Sequence, residues 1–208
     1  MSKDSWQRTT STPEEEAGLL GERILLSVLE KIPGGYAAGP LYFPTKSGGI
    51  TETDAILLHP SGLYVFENKE YSGTLSGAFS DRLWMKTNSF GQTFSVSNPI
   101  AQNSMHTKAA AAALRIPEKY VHSVIVFANA CDISRIPQNR TDCCITQISR
   151  LKAALQEQFA GAVFSKEEVE ALAGRLAKFR GSEKAAQKHA KHIAEIKKER
   201  KAEKKRGR

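Results

Sequence analysis

Cysteine is scarce in this sequence, which contains only Cys131 and the adjacent pair Cys143 and Cys144. The number is odd and no Cys-x-x-Cys spacing occurs, so the sequence indicates neither a disulfide framework nor a zinc knuckle. We therefore expect the three thiols to be small core side chains of a reduced, cytoplasmic protein.

Long apolar runs and several common motifs are also missing. No hydrophobic stretch approaches the roughly 20 residues that a membrane-spanning helix needs, and the polar residues 1–18 argue against a secretory signal. The sequence lacks a Gly-rich Walker loop, a Ser-His-Asp arrangement and an internal repeat of useful length. With 40% hydrophobic and 25% charged residues in 208, the composition is typical of a soluble globular protein.

Positive charge is concentrated at one end of the chain. Of the net charge of +8, residues 181–208 carry +7 and residues 1–180 carry +1, so the folded part is not broadly basic. In a helical tail the basic side chains could follow a phosphate backbone, although a solvated tail with only non-specific affinity explains the pattern equally well. The candidate nucleic-acid-binding residues are Lys197, Lys198, Arg200, Lys201, Lys204 and Lys205.

Hydrophobic periodicity and turn residues predict an α/β fold, in which a mixed sheet is flanked by helices. The first helix begins at Thr12-Pro13 with acids in its first turn, and a second begins at Asn98-Pro99. Ser149 is expected to cap a helix through residue 159, and Ser165 with Glu168 forms a capping box for a helix reaching residue 179. Strands are expected at residues 36–44, on both sides of a turn at 59–62, in a hairpin over 73–87, and at 122–128 and 143–146. The expected core stripe of the first helix is Leu19, Leu25, Leu26 and Leu29.

The hairpin within residues 51–73 carries an unusual pair of acids. If its strands pair symmetrically about Pro60-Ser61, Asp54 lies opposite Glu67, and Glu52 lies opposite Lys69. Directly opposed side chains are about 5 Å apart at Cβ, where like charges destabilise a sheet. A shared divalent cation would reverse that effect, and two carboxylates suit Mg²⁺ or Mn²⁺. Lys69 shares the face of Glu67, because the two are two residues apart on a strand.

These residues stand in an order that resembles the nuclease-related domain (NERD) family, a branch of the restriction-endonuclease-like PD-(D/E)xK superfamily. The resemblance spans roughly residues 17–150. It rests on Gly21-Glu22, residues 53–58 around Asp54, residues 61–69 ending in Glu67-Asn68-Lys69, Gly73, Trp84, and residues 98–102 ending in Gln102. The family commonly has Ile-Asp-His where this chain has Thr53-Asp54-Ala55, and Glu-Thr-Lys where it has Glu67-Asn68-Lys69; neither change touches an expected ligand.

The resemblance implies a restriction-endonuclease-like core and Mg²⁺- or Mn²⁺-dependent hydrolysis of phosphodiester bonds, with DNA, or alternatively RNA, as partner. It implies Asp54 and Glu67 as metal ligands, Lys69 as the catalytic cation, Glu22 as a further ligand or water-positioning acid, and Gln102 as a supporting side chain. The domain would cover residues 14–160, between a disordered lead-in (1–13) and a C-terminal helix (161–180) followed by the basic tail (181–208).

Other interpretations of the same residues remain open. Asp54, Glu67 and Lys69 could form a buried salt-bridge cluster, and Glu22 could be a solvated helix flank. Asn103, His106 or Lys108 could take the place of Gln102, although a lone helix histidine is more often a packing residue. Tyr71 and Trp84 could stack on bases or simply hold the sheet together. The whole chain could be a catalytically inactive nucleic-acid-binding or adaptor module that retains the nuclease fold.

Overall fold

The structure, a computed structural model, describes residues 12–137 and 143–181, apart from the side chain of Glu14. Residues 1–11 of the expected lead-in and the tail beyond Gly181 lie outside this range, including all six candidate nucleic-acid-binding residues. These two ranges include the elements that contain the expected site.

Helix α1, Pro13–Leu29, begins with the predicted cap. The Glu15 amide donates to Thr12 Oγ1 at 3.2 Å, and the Thr12 amide donates to Glu15 Oε2 at 2.8 Å, which closes a capping box. Leu25 and Leu29 are fully buried, but Leu19 is 54% exposed, so its assignment to the core stripe was wrong. The buried positions of α1 start only at Gly21, because the preceding turns extend beyond the surface that the sheet covers.

A five-stranded mixed sheet forms the centre of the fold, in the order β1-β4-β5-β9-β11. Strands β1, β4 and β5 pair antiparallel, whereas β5, β9 and β11 pair parallel. The bounds are β1 Tyr36–Ala38, β4 Ala55–His59, β5 Gly62–Lys69, β9 Val121–Phe127 and β11 Cys143–Gln147.

The strand expected over residues 36–44 is divided in two. Strand β2, Leu41–Pro44, leaves the central sheet and pairs antiparallel with β3, Ile50–Thr53. Pro40 separates β1 from β2, and a proline has no amide hydrogen with which to continue a ladder. The small β2–β3 sheet therefore lies beside the point where β4 begins.

A second sheet has the order β10-β6-β7-β8. The predicted hairpin is confirmed as β6, Gly73–Ser76, and β7, Leu83–Thr87. Strands β8, Thr93–Ser97, and β10, Cys131–Arg135, were not expected. Strand β8 alternates polar and apolar residues, with Phe94 and Val96 on one face, so its sequence carries a short strand signal, and the antiparallel pairing with β7 makes it part of the sheet.

Helices cover both faces of the central sheet, which confirms the predicted α/β fold class. Helices α2, Pro99–Leu114, and α4, Lys166–Leu176, pack on the face that carries Ile56 and Val65. Helix α1 and helix α3, Leu151–Gln158, pack on the opposite face, which carries Leu57 and Phe66. No helix in residues 12–137 or 143–181 combines the length and apolar character that crossing a bilayer requires.

Among the α-helices of the described residues, α1, α2 and α4 begin with a side-chain cap and α3 does not. Asn98 caps α2, accepting the Ile100 amide at 2.9 Å, and Ser165 with Glu168 forms the predicted capping box of α4. The expected Ser149 cap was wrong, because residues Ile148–Arg150 form a 3₁₀ turn before α3 and no side chain caps that helix. The Ser149 amide instead donates to Asn129 Oδ1 at 3.1 Å, which ties the turn to the loop after β9.

Candidate active site

The β4–β5 hairpin has the register that the sequence predicts. Ala55 pairs with Phe66, and continuing this register by one residue places Asp54 opposite Glu67. The extension to Glu52 opposite Lys69 was wrong, because the strand is interrupted at Asp54 and Glu52 pairs with Tyr42 on β2. The Tyr42 hydroxyl donates to Glu52 Oε1 at 3.0 Å, so Glu52 is held by the small sheet.

Asp54 lies at the junction between β3 and β4. Its Oδ2 accepts a hydrogen bond from the Asn68 amide at 2.6 Å, which holds the carboxyl group beside the end of β5. Burial raises the pKa of Asp54 well above its ordinary value, and the charges of Glu67 and Glu22 raise it further; the Asn68 amide and Lys69 only partly oppose this. The fold therefore keeps this carboxyl group where its ionised form is unfavourable.

Glu67 is the most enclosed acid of the site, with only 2% of its surface exposed. Its Oε1 lies 2.5 Å from Lys69 Nζ, and its Oε2 lies 3.1 Å from His106 Nε2 without the alignment of a hydrogen bond. Burial raises the pKa of Glu67, but the neighbouring His106 and Lys69 outweigh it, so the net direction is downward. Glu67 is consequently held as a carboxylate between two cationic or potentially cationic groups.

Lys69 connects the strand to helix α2. Its ammonium donates to Gln102 Oε1 at 3.3 Å in addition to its ion pair with Glu67. Burial lowers the pKa of Lys69, but the charge and hydrogen bond of Glu67 raise it by more, so the net direction is upward. The side chain is therefore an ammonium ion at neutral pH, and Gln102 fixes its position from the helix.

Glu22 lies on α1, half-buried at the edge of the same group of acids. Burial raises its pKa, and the charges of Glu52 and Glu67 raise it further. Glu22 therefore lies close enough to Glu52 and Glu67 for their charges to act on its carboxyl group.

Asp54 and Glu67 can supply carboxylate oxygens as metal ligands, which suits a hard divalent cation. Glu67 Oε2 is also buried without a hydrogen-bond partner, so it has a free position for a ligand bond. Within the described ranges, no three or more His, Cys, Asp or Glu side chains are grouped so that they could hold a metal ion. The role of Glu22, as a further ligand or as a water-positioning acid, stays a prediction. Two carboxylates can still suffice for Mg²⁺, which usually keeps several waters and binds through one or two carboxylates together with phosphate oxygens.

His106, which the sequence left open between a substitute for Gln102 and a packing residue, lies against Glu67. It is buried, its Nδ1 lies 2.7 Å from Thr51 Oγ1, and its Nε2 faces Glu67. The available signal was its spacing of four residues from Gln102, which places both side chains on one face of α2. That spacing indicates a shared face, but only the packing of α2 on the sheet shows which partner the imidazole meets.

Asn103 and Trp84 have structural roles in the described part of the chain. Asn103 is fully buried and donates to Val65 O and Ser123 Oγ, each at 2.9 Å. Trp84 is fully buried and donates to Ala78 O at 2.9 Å, so its ring cannot stack on a base. Two more residues considered for the site lie elsewhere or at its margin: Lys108 lines a separate cavity with Glu118, and Tyr71 is half-buried near the site.

A family model described as the nuclease-related domain matches residues 17–128. This match covers more than half of the 208 residues, and it includes every site side chain described above, from Glu22 on α1 to His106 on α2. The chain therefore belongs to the nuclease-related domain (NERD) family. This membership assigns it a nuclease-related function and an interaction with nucleic acid in general. A search of the curated proteins found no match, and a search of the solved structures found none either.

Proposed function

We propose that this protein is a metal-dependent nuclease that hydrolyses phosphodiester bonds in DNA, with Mg²⁺ or Mn²⁺ as its cofactor. The observation that carries the proposal is the facing placement of Asp54 and Glu67, where burial and mutual charge raise the pKa of Asp54. Lys69 balances the charge of Glu67 but only partly opposes the raised pKa of Asp54, so a cation bound between the two carboxylates would stabilise the ionised form of Asp54, and strongly perturbed acids of this kind are common at functional sites.

Each side chain then has a defined task. Asp54 and Glu67 would hold the cation, which when bound polarises a phosphodiester oxygen and lowers the pKa of a bound water. The Lys69 ammonium, positioned by Gln102, would balance the negative charge that develops on the phosphate. Glu22 would accept a hydrogen bond from a water at the edge of the site. His106 would act as a positioning residue, because it orients the carboxylate of Glu67.

Retention of the polyanion must rely on local features, since residues 1–180 carry a net charge of only +1. We propose that the basic tail supplies sequence-independent phosphate contacts, as clustered lysines and arginines do in other DNA-binding proteins. We also propose a cytoplasmic location, which the three free thiols of Cys131, Cys143 and Cys144 support.

A second candidate function is a catalytically inactive nucleic-acid-binding module. One observation favours it: Lys69 and His106 already lie against the two oxygens of Glu67, so this carboxylate is balanced without a metal. Under that interpretation the group is a salt-bridge cluster, and the tail provides the affinity for nucleic acid.

Cleavage assays separate these two functions. The purified full-length chain is incubated with supercoiled and linear DNA in Mg²⁺, Mn²⁺ or EDTA, beside Asp54→Ala and Lys69→Ala. We expect cleavage that requires the metal and that falls about a hundredfold or more in each variant, as for the loss of other groups that stabilise a transition-state charge.

Matched control variants are Glu170→Ala and Lys152→Ala, which remove an exposed acid from α4 and an exposed lysine from α3. Both should cleave as the wild type does. Cleavage that survives Asp54→Ala and Lys69→Ala refutes the proposed site. DNA binding without any cleavage by the wild type supports the inactive module.

A further inference from the structure

The β7–β8 hairpin, residues 83–97, exposes large apolar side chains next to the candidate site. We call it the aromatic hairpin. Phe90 at its tip is 86% exposed and Phe94 on β8 is 50% exposed. Isolated apolar side chains on a surface are ordinary, but two aromatic rings on one projecting hairpin indicate a contact surface.

The tip of the aromatic hairpin is an ordered turn. Asn88 Oδ1 accepts hydrogen bonds from the Phe90 amide at 3.0 Å and from the Gln92 amide at 2.9 Å. Asn88 Nδ2 donates to Gln92 Oε1 at 3.0 Å, and Gly91 adopts the positive φ of 75° that the turn requires. The backbone of the turn is therefore ordered before any partner binds, and it presents the Phe90 side chain to solvent, which lowers the entropy cost of binding.

One face of the aromatic hairpin is continuous with the candidate site. Lys86 pairs with Phe94, so both side chains point to the same face of the sheet. Lys86 Nζ lies 5.1 Å from the centre of the Tyr71 ring, and the Tyr71 side chain lies close enough to the Lys69 ammonium to raise the pKa of that group. A strand lying along Phe94, Lys86 and Tyr71 would therefore lead towards the Lys69 ammonium.

Charge indicates which partner fits this face. Residues 83–97 contain one cation, Lys86, and no Asp or Glu, although Asp81 and Arg82 directly precede them. Aromatic rings combined with isolated cations suit single-stranded nucleic acid, because every unpaired base offers a face for stacking while the cations meet the phosphates. Stacked, paired bases of a duplex do not offer such faces to a projecting ring.

We propose that the aromatic hairpin binds unpaired nucleotides by stacking bases on Phe90 and Phe94, and that it guides a single-stranded segment of the substrate to the site. The inference rests on the proposed function and specifies its substrate class as single strands, flaps or frayed ends. Lys86 would contact the phosphates of the part of the strand that lies between the two rings and Lys69.

Binding measured in EDTA tests this without cleavage. The full-length chain is titrated with a single-stranded deoxyoligonucleotide and with an abasic oligonucleotide of the same length, which has the same phosphates but no bases. We expect the wild type to bind the base-bearing strand about tenfold or more tightly, because stacking contributes that much per base or more. The double variant Phe90→Ala with Phe94→Ala should lose this preference but keep the salt dependence, which phosphate contacts set.

Met85→Ala is the matched control, since Met85 is 43% exposed on the opposite face of β7 and pairs with Ser95. It should keep the preference for bases, and thermal melting should show that all variants are folded. Equal affinity of the wild type for both strands, or a preference that survives loss of both rings, overturns the inference. The cleavage assay with Mg²⁺ is read separately: active cleavage without base preference refutes only the role of the hairpin, and base preference without cleavage refutes only the nuclease.

Discussion

Replacing Asp54 by Asn should make the metal-free protein more stable at neutral pH. Asparagine has nearly the same shape as aspartate, and its Oδ1 can still accept the Asn68 amide that now lies 2.6 Å from Asp54 Oδ2. The substitution therefore removes a charge while leaving the packing and the hydrogen bond in place. The free energy of unfolding should increase, because the cost of burying a charged carboxylate near other acids is removed.

The direction of the pH dependence follows from the raised pKa of Asp54. Burial and the charge of Glu67 make the folded state bind a proton more tightly than the unfolded chain, where an aspartate has its ordinary pKa of about 3.9. The stabilising contribution of the protonated group is complete below that value and is lost as the pH rises through the folded pKa. The advantage of Asp54→Asn should thus be absent near pH 4 and grow towards pH 8.

The expected gain at pH 8 is about 1–2 kcal/mol, the range in which relieving a functional strain commonly stabilises a protein. For a chain of this size, each kcal/mol raises the melting temperature by roughly 2–4 °C. Thermal melts in EDTA between pH 4 and pH 8 measure it, with Glu170→Gln, an exposed acid on α4, as the matched charge control.

Adding Mg²⁺ should reverse the ranking of the two proteins. A cation that binds only the folded state stabilises it by about 2.7 kcal/mol at a concentration one hundred times the Kd. The wild type should gain most of this, whereas Asp54→Asn lacks one of the two carboxylates and should gain little. Two results would contradict this reasoning: a metal-free Asp54→Asn protein that is less stable than the wild type at pH 8, or a stability advantage that persists unchanged to pH 4. Either result would show that the surroundings do not disfavour the ionised form of Asp54.

Two further predictions concern His106 and the tail. His106→Ala removes the imidazole 3.1 Å from Glu67 Oε2, so we expect a loss of about 1–3 kcal/mol in denaturant unfolding and a smaller loss for His106→Gln; equal stability of His106→Ala and wild type would contradict this. Replacing the basic tail residues by Gln should reduce the slope of log K against log salt for duplex DNA by about 0.9 per lost phosphate contact, measured by fluorescence anisotropy. An unchanged slope would show that the tail does not meet the backbone. The replaced residues are Lys197, Lys198, Arg200, Lys201, Lys204 and Lys205.

The central part of the fold and the facing acids could be predicted because local rules determine them. The turn His59-Pro60-Ser61-Gly62 sets the register of β4 and β5, and the two-residue period of a strand then places Asp54 opposite Glu67. The same rule failed at Glu52, because register holds only while a strand keeps one partner. Residue 54 ends that pairing, and the preceding residues pair with β2 instead.

Features that depend on how separate elements meet could not be predicted in the same way. Helical spacing places Gln102 and His106 on one face of α2, but spacing alone does not show that the first meets Lys69 and the second meets Glu67. Residues 93–97 do alternate, with Phe94 and Val96 on one face, but an alternation of five residues is a weak signal by itself, and only the pairing with β7 shows that this segment belongs to the sheet.

The fully buried Asn103 provides the physical link between helix α2 and the site. Its amide nitrogen donates to Val65 O on β5 and to Ser123 Oγ on β9, so it fixes the rotation of α2 above two adjacent strands. Gln102 and His106 lie on either side of Asn103 on the same helix. Their contacts with Lys69 and Glu67 therefore depend on the hydrogen bonds that Asn103 makes. Because β5 carries both Val65 and Glu67-Asn68-Lys69, the anchor and the acid-bearing strand are one rigid element. The scaffold thus positions Gln102 and His106 over the acid-bearing strand, in addition to the mutual attraction of the charged groups.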